Sequence, residues 1–581
     1  MTLSQGFRFR LRRCGNGSQP MRVKANALST VLLATVFIAY LARWIFCHSG
    51  FLFEPALQND DARTALFPFH QYADNPTFAQ DPIAREMMAF VSPGIWALYR
   101  VLVPWTNLYV ASKWVQALAL GVLGVAGLIL ARSRRGGLAG GLLLMYLMLS
   151  DSYAIGRIAG GHARAFAFPC FALWSAGMVA SRRSARFAAP VIGALFYPAV
   201  TLMILAAEGV HLVLASLRSS WRLALRRARD VALVASVSLL VALPSVVGGD
   251  KARGPIHTLE QAQLEPAFFR EGRLGVLPFG RPIDELSGAF LARFSASGKR
   301  LLPVGSGNTT RAAALTAFSL VALVFVIQRR RSALLPGYFW SFLVGSCVLY
   351  FAARWLAFRL YSTERYYAYA MRMASTLLLV AICARLAPRW HMSRSVARNL
   401  FASAIMLASW VCLGDGIIGN NGMTIDARWD ADVYRFIRTL PLASRFASHP
   451  MDGDGIPYYA ARATIGSFET LQPWFVDSWR RQKIREMSTL DALYSDDFRT
   501  VVDYGKRFQV DYLLVNDDRY GRDWSAHMAS FEPFTTYARQ LAEARPNATP
   551  VLANVPSAAV VFERKPWRIV DLGRLEASIQ R

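Results

Sequence analysis

The sequence predicts an α-helical polytopic membrane protein of about eleven apolar passes, followed by a C-terminal extracytoplasmic α/β domain. Three observations predict it. Of 581 residues, 54% are hydrophobic and only 18% charged, with a mean hydropathy of +0.27. The apolar residues come in blocks of roughly 18 to 20, the length that crosses a bilayer. The net charge of +27 is concentrated in short segments between those blocks, while the stretch from about 417 to 581 is soluble in character.

The basic segments set the path of the chain. Residues 1–26 form a basic tail (Arg8, Arg10, Arg12, Arg13, Arg22, Lys24), expected in the cytoplasm. The others are Arg132–Arg135, Arg182–Arg186, Arg218–Arg229, Arg329–Arg331 and Arg385–Arg398. Together these six segments hold 24 basic residues and almost no acids. Short basic loops mark the inner face, and they account for most of the charge without invoking nucleic acid.

A transmembrane domain over 27–416 follows, with outer loops at 48–107 and 249–310. Its first span, about 27–47, is longer than a signal-peptide core and lacks a clean small-residue cleavage site, so it is read as retained. Spans at about 108–130, 137–151 and 163–180 alternate in direction. Residues 187–217 are apolar yet flanked by basic loops at both ends, which predicts a hairpin broken near Tyr197-Pro198. Further spans fall at about 230–248, 311–328, 333–354, 369–387 and 397–416. Ile83–Trp105 is also apolar, but a span there would invert every later loop, so it is read as one amphipathic surface helix. In the tail, helical stretches (Asp432–Leu440, Asp497–Phe508) precede short strands (Tyr512–Val515, Ala558–Phe562), the pattern of a small α/β domain. The six cysteines lie in or beside spans or in the basic tail, which suggests neither a disulfide framework nor a zinc site.

Charged residues beside spans are the candidates for chemistry. Asp60 and Asp61, in Gln58-Asn59-Asp60-Asp61-Ala62-Arg63, follow the first span by about a dozen residues. Such a carboxylate can take a proton from a hydroxyl or, with a neighbour, hold a divalent cation. It can equally begin a helix. Asp74, Asp81 and Glu86 are further acids in this loop, and Asp81-Pro82 also reads as a helix start. Asp151, Arg157, His162 and Arg164 form a second outer cluster, with two arginines where few are expected. Arg359, Arg365 and Arg372 lie at the outer end of a late span, and a seven-residue spacing puts Arg365 and Arg372 on one helix face. Arginine's rigid fork matches phosphate oxygens, whereas capping and snorkelling are the structural alternatives. The Asp452-Gly453-Asp454-Gly455 run lacks a full calcium-loop pattern and reads as a turn-rich loop. Asn308-Thr309-Thr310 and Asn547-Ala548-Thr549 match glycosylation acceptors. Gly-rich phosphate loops, nucleophile elbows and His-Glu-x-x-His are absent, which argues against an ATPase, an α/β hydrolase and a zincin.

The layout resembles the GT-C superfamily of integral-membrane glycosyltransferases. The local basis is Gln58–Arg63 with Pro68-Phe69-His70-Gln71-Tyr72, and Glu364-Arg365-Tyr366 before a late span. More narrowly, the Asp-Asp-Ala-Arg loop with the long tail is similar to a group of bacterial membrane proteins. The resemblance implies a GT-C-like fold and transfer of a sugar from a polyprenyl-phosphate donor to a glycan or glycolipid acceptor, on the outer face of a bacterial inner membrane. It implies Asp60 as general base or metal-positioning acid, with Asp61 the close second. Asp151 or Asp81 would be the second acid. Arg365, with Arg372 or Arg164, would bind the lipid phosphate, with His162 and Arg157 beside it. A divalent metal (Mg or Mn) on Asp60 and Asp81 is part of this expectation. The tail lacks the Trp-Trp-Asp signature of oligosaccharyltransferases, so transfer to asparagine is not implied. A glycolipid flippase or transporter, a polysaccharide polymerase or ligase, and a non-catalytic envelope-assembly protein are the competing readings.

Overall fold

The computed structural model describes residues 19–217, 221–247, 253–292, 336–386, 393–413, 424–520, 530–545 and 549–580. The expected span at 311–328, Arg329–Arg331 and the acceptor asparagines Asn308 and Asn547 lie outside these residues.

The apolar blocks form helices as their Leu-, Ala- and Val-rich composition dictates. Among the described residues five helices are long and apolar enough to cross a membrane: Val23–Phe53, Leu108–Ala131, Ala163–Ala180, Pro198–Ser216 and Glu364–Arg385. The Gly137–Leu149 and Ser152–Ile158 helices, bent by 77° at their junction, pass the same test as a pair. The chain also breaks at Tyr197, between helices Arg183–Phe196 and Pro198–Ser216. Pro198 opens the second helix, and the residue before a proline avoids helical geometry. The two helices run antiparallel. Arg186 pairs with Glu208 about eleven residues either side of the break, and the Thr201 hydroxyl donates to Pro190 O at 2.7 Å.

One expectation is corrected. Ile83–Trp105 is two helices, Pro82–Met88 and Pro93–Trp105, separated by a turn. Ser92 precedes Pro93 and is extended (ψ 153°), so a continuous helix is blocked there by the same steric rule.

The helix ends sort by charge. At one end Arg135 Nη1 donates to Ser181 Oγ at 2.8 Å, and Arg398 Nη1 to Arg134 O at 3.2 Å, which gathers three of the basic segments. The opposite end carries the tail domain. There a five-stranded sheet runs in the order β4 (Ala463–Thr464), β3 (Arg445–Ser448), β5 (Tyr512–Asn516), β7 (Trp567–Asp571), β6 (Val560–Arg564). β3 is parallel to β4 and β5, whereas β7 is antiparallel to β5 and β6. Helices Val476–Leu493, Phe498–Phe508 and Leu572–Ile579 supply the apolar faces of its core, around Trp479, Val501, Leu513 and Leu575.

The tail is stitched to the first loop. β1 (Leu57–Asn59) pairs antiparallel with β2 (Thr424–Asp426). Asn75 Nδ2 donates to Leu442 O and Ala461 O, both at 2.9 Å, and His70 Nε2 lies 2.7 Å from Tyr458 O. Tyr109 Oη donates to Tyr458 O at 3.0 Å.

Candidate functional site

Strand β1 leads directly into the short helix Asp60–Leu66, with both acids in its first turn, where unpaired backbone N–H groups favour negative charge. The two acids then diverge. Asp60 pairs with Arg63 one turn on, and the same guanidinium reaches Asp454 in the tail at 4.0 Å. Asp61 receives Arg157 Nη1 and Arg164 Nη1 on one oxygen, each at 2.6 Å, with His162 Nε2 at 3.9 Å.

The Gly160-Gly161 turn brings those three partners to Asp61. Both glycines have left-handed backbone (φ +83° and +66°), which side-chain-bearing residues rarely adopt. They also allow close approach. A Cβ on Gly160 would lie 2.7 Å from Ala62 Cβ, and one on Gly161 would lie 2.2 Å from Ser112 O.

Asp61 opens onto a cavity of about 440 Å³ between the helical bundle and the tail domain. One wall is apolar, built by Phe196, Pro198, Ala199 and Leu202 at the hairpin break, with Leu360, Met87 and Phe90. The other lining is polar: Asp61, His162, Arg164, Tyr197, Arg359, Arg365 and Glu469. Arg365 packs over the Tyr361 ring at 4.6 Å. Among the described residues neither Arg359 nor Arg365 has a carboxylate within ion-pair distance. His162 is buried, and neither ring nitrogen has a hydrogen-bond partner among the described residues.

Electrostatics separates the acids. Burial would raise the Asp61 carboxyl, but Arg164, His162, Arg157 and Arg365 outweigh it and hold the group well below the usual carboxylate range. Burial lowers His162 to about 4, so its ring is neutral at neutral pH. Glu469 behaves oppositely. Burial raises it to about 7, with Asp454, Asp60 and Asp61 adding to the effect and Arg273, 2.9 Å away, opposing it. Sequence reasoning missed Glu469. It lies in Gly466-Ser467-Phe468-Glu469, which carries no motif, and only the docking of the tail brings it to the cavity.

The remaining expected residues sit elsewhere. Asp60 does not line the cavity. Asp151 caps the Ser152–Ile158 helix, accepting from Tyr153 N at 3.0 Å, and pairs with Arg372 at 3.0 Å. Arg157 reaches the site through Asp61, and among the described residues Arg372 reaches this capping acid and the Tyr153 ring. Asp81 caps the Pro82–Met88 helix, accepting from Ala84 N at 2.8 Å, and lines a different cleft. Of the expected metal pair, Asp60 is paired with Arg63, and Asp81 caps its helix in a cleft apart from the cavity. Among the described residues no three His, Cys, Asp or Glu side chains gather as metal ligands. In the Asp-Gly-Asp-Gly run, Asp452 pairs with Arg519 at 2.6 Å and Asp454 accepts from Glu469 N at 2.9 Å.

No protein-family model matches the sequence, and no curated protein does. Among solved structures, the apo oligosaccharyltransferase of Archaeoglobus fulgidus is similar over 88% of this chain and 72% of its own, at 14% identity and a TM-score of 0.46. ArnT from Cupriavidus metallidurans bound to undecaprenyl phosphate is similar over 93% of this chain and 98% of its own, at 16% identity and a TM-score of 0.40.

Proposed function

We propose that this protein is a membrane glycosyltransferase that moves a sugar from a polyprenyl-phosphate donor to a glycan or glycolipid hydroxyl in this cavity. The observation that carries the reading is a pair of arginines, Arg359 and Arg365, without carboxylate partners among the described residues, in a cavity with one apolar wall. That combination suits an amphiphile with an anionic head. The prenyl chain lies along Phe196–Leu202 and the phosphate on Arg365 and Arg359. Arg164 is within reach once the phosphate competes with Asp61 for it.

In the reaction the acceptor oxygen attacks the anomeric carbon, a new C–O bond forms, and the bond to the phosphate oxygen breaks. Glu469 accepts the hydroxyl proton, since a carboxylate poised near 7 is a better base than one clamped by two guanidiniums. The departing phosphate keeps the bonding electrons, and the arginines stabilise that charge. Asp61 holds Arg157 and Arg164 in place. The basic loops face the cytoplasm by the positive-inside rule, so the cavity and tail lie outside, in a bacterial inner membrane.

The test is transfer from a radiolabelled polyprenyl-phosphate sugar by full-length protein in nanodiscs. Arg365→Ala should weaken donor binding by about tenfold or more. Glu469→Gln should leave binding intact and lower turnover by about a hundredfold. Normal turnover in Glu469→Gln with normal donor binding in Arg365→Ala would sink the assignment.

A further inference from the structure

We propose that the cleft where the first loop meets the tail sheet is a second binding site, which takes the phosphate or sulfate group of a ligand. It shares no lining residue with the large cavity and does not depend on the transfer reaction. Its volume is about 190 Å³, room for about six waters at roughly 30 Å³ each, enough for a tetrahedral oxyanion and part of its carrier.

Three guanidiniums line the cleft, from Arg445, Arg485 and Arg507, against one carboxylate, Asp81. Asp81 is buried, caps its helix, and lies 3.9 Å from Arg445, which also donates to Phe508 O at 3.3 Å. Arg507 is exposed and packs over the Phe508 ring at 4.9 Å. Among the described residues neither Arg485 nor Arg507 has an acid within ion-pair distance. Nearby Arg481 has its own partner, Glu86, at 3.4 Å. Burial, with the charges of Arg481 and Arg445, pulls Arg485 below the usual arginine value despite Glu86 and Asp81. Holding like charges together around a concavity is unfavourable unless an anion joins them.

A second observation is independent of charge. Thr464 lines the same cleft and is 3% exposed, yet its hydroxyl has no hydrogen-bond partner among the described residues. Leaving a buried hydroxyl unpaired is unfavourable. Guanidinium forks and a hydroxyl donor are the set that recognises a tetrahedral oxyanion.

Calorimetric titration of the full-length protein in zwitterionic nanodiscs tests this, with inorganic phosphate, sulfate and glycerol 1-phosphate as probes and chloride as control. Saturable binding is expected. Arg485→Gln should weaken it about tenfold, the exposed Arg507→Gln about fivefold and Thr464→Val about threefold. Tighter binding of glycerol 1-phosphate identifies an esterified group as the ligand, and equal binding a free ion; both uphold the site. No saturable binding overturns it, as does binding unchanged by Arg485→Gln and Arg507→Gln. Binding lost in Arg365→Ala but retained in Arg507→Gln also overturns it, since the anion then sits in the large cavity.

Discussion

Two glutamates in the tail domain differ in what surrounds them, and each predicts a pH dependence. Glu469 is raised to about 7 with Arg273 opposing the rise. If it takes the acceptor's proton, turnover should fall as pH drops below about 7. Arg273→Gln removes the opposing charge and should move that limb upward by about one pH unit. A pH–rate profile of the two proteins checks this, and coincident limbs would remove Glu469 from the reaction. Glu486 has no pairing charge among the described residues, and burial raises it from the ordinary 4.5 to about 8. The folded state thus holds its proton more tightly than the unfolded state. Its favourable contribution is complete below about 4.5 and is lost as pH rises through about 8. Glu486→Gln keeps the shape without the charge. It should stabilise the tail domain at pH 8 by on the order of 4 kcal/mol and leave pH 4 nearly unaffected. Thermal melts at the two pH values give the comparison.

At the scale of elements, the Arg183–Ser216 hairpin shows how charge survives inside the bundle. Glu208 is buried, pairs with Arg186 and accepts from Trp174 Nε1 at 2.7 Å. Arg186→Ala strands a buried carboxylate and should cost about 3–5 kcal/mol, whereas Arg186→Ala with Glu208→Ala should recover most of it. Graded SDS unfolding measures both, and an equal loss in single and double variants would contradict the pairing. The hairpin was legible in the sequence because flanking basic loops and Tyr197-Pro198 both reported it. The Ile83–Trp105 break was missed, though Ser92-Pro93 carried the same steric signal, because the direction of the later loops bears on whether the run crosses the membrane and not on whether it is continuous. At the site, the arginines were found because charge beside a span is conspicuous. Depth was not readable: Arg372 shares a face with Arg365 but lies about 10 Å further along its helix at 1.5 Å per residue, where it meets Asp151 instead. That Asp61 rather than Asp60 lines the cavity goes with partners 96 and 103 residues away, Arg157 and Arg164, which no local pattern encodes.

Across the whole molecule, the cavity is a joint product of bundle, first loop and tail. Its polar lining combines Asp61, Arg164, Arg365 and Glu469 from four distant stretches of chain. The seam that keeps them together combines ring packing, such as Phe358 and Tyr361 against Trp474 and Phe90 against Phe475, with polar stitches. Asn75 bridges two tail carbonyls, so Asn75→Ala leaves Leu442 O and Ala461 O without that donor, a loss of about 2–4 kcal/mol in docking. Hydrogen exchange over residues 442–471 should quicken in this variant while the sheet strands Tyr512–Asn516 and Trp567–Asp571 stay protected. Unchanged exchange at the seam would mean that docking is held elsewhere.

The pairing of Leu57–Asn59 with Thr424–Asp426 also sets a timetable for biogenesis. The first strand leaves the ribosome long before the second exists. At about 5–20 residues per second, the wait is roughly 20 to 70 s. Throughout that interval the Asp60-Asp61 segment has no strand to register it. A chain that stops before residue 424 would insert its early helices and yet never mature its acid loop. Completion of the tail is thus the step that commissions the site.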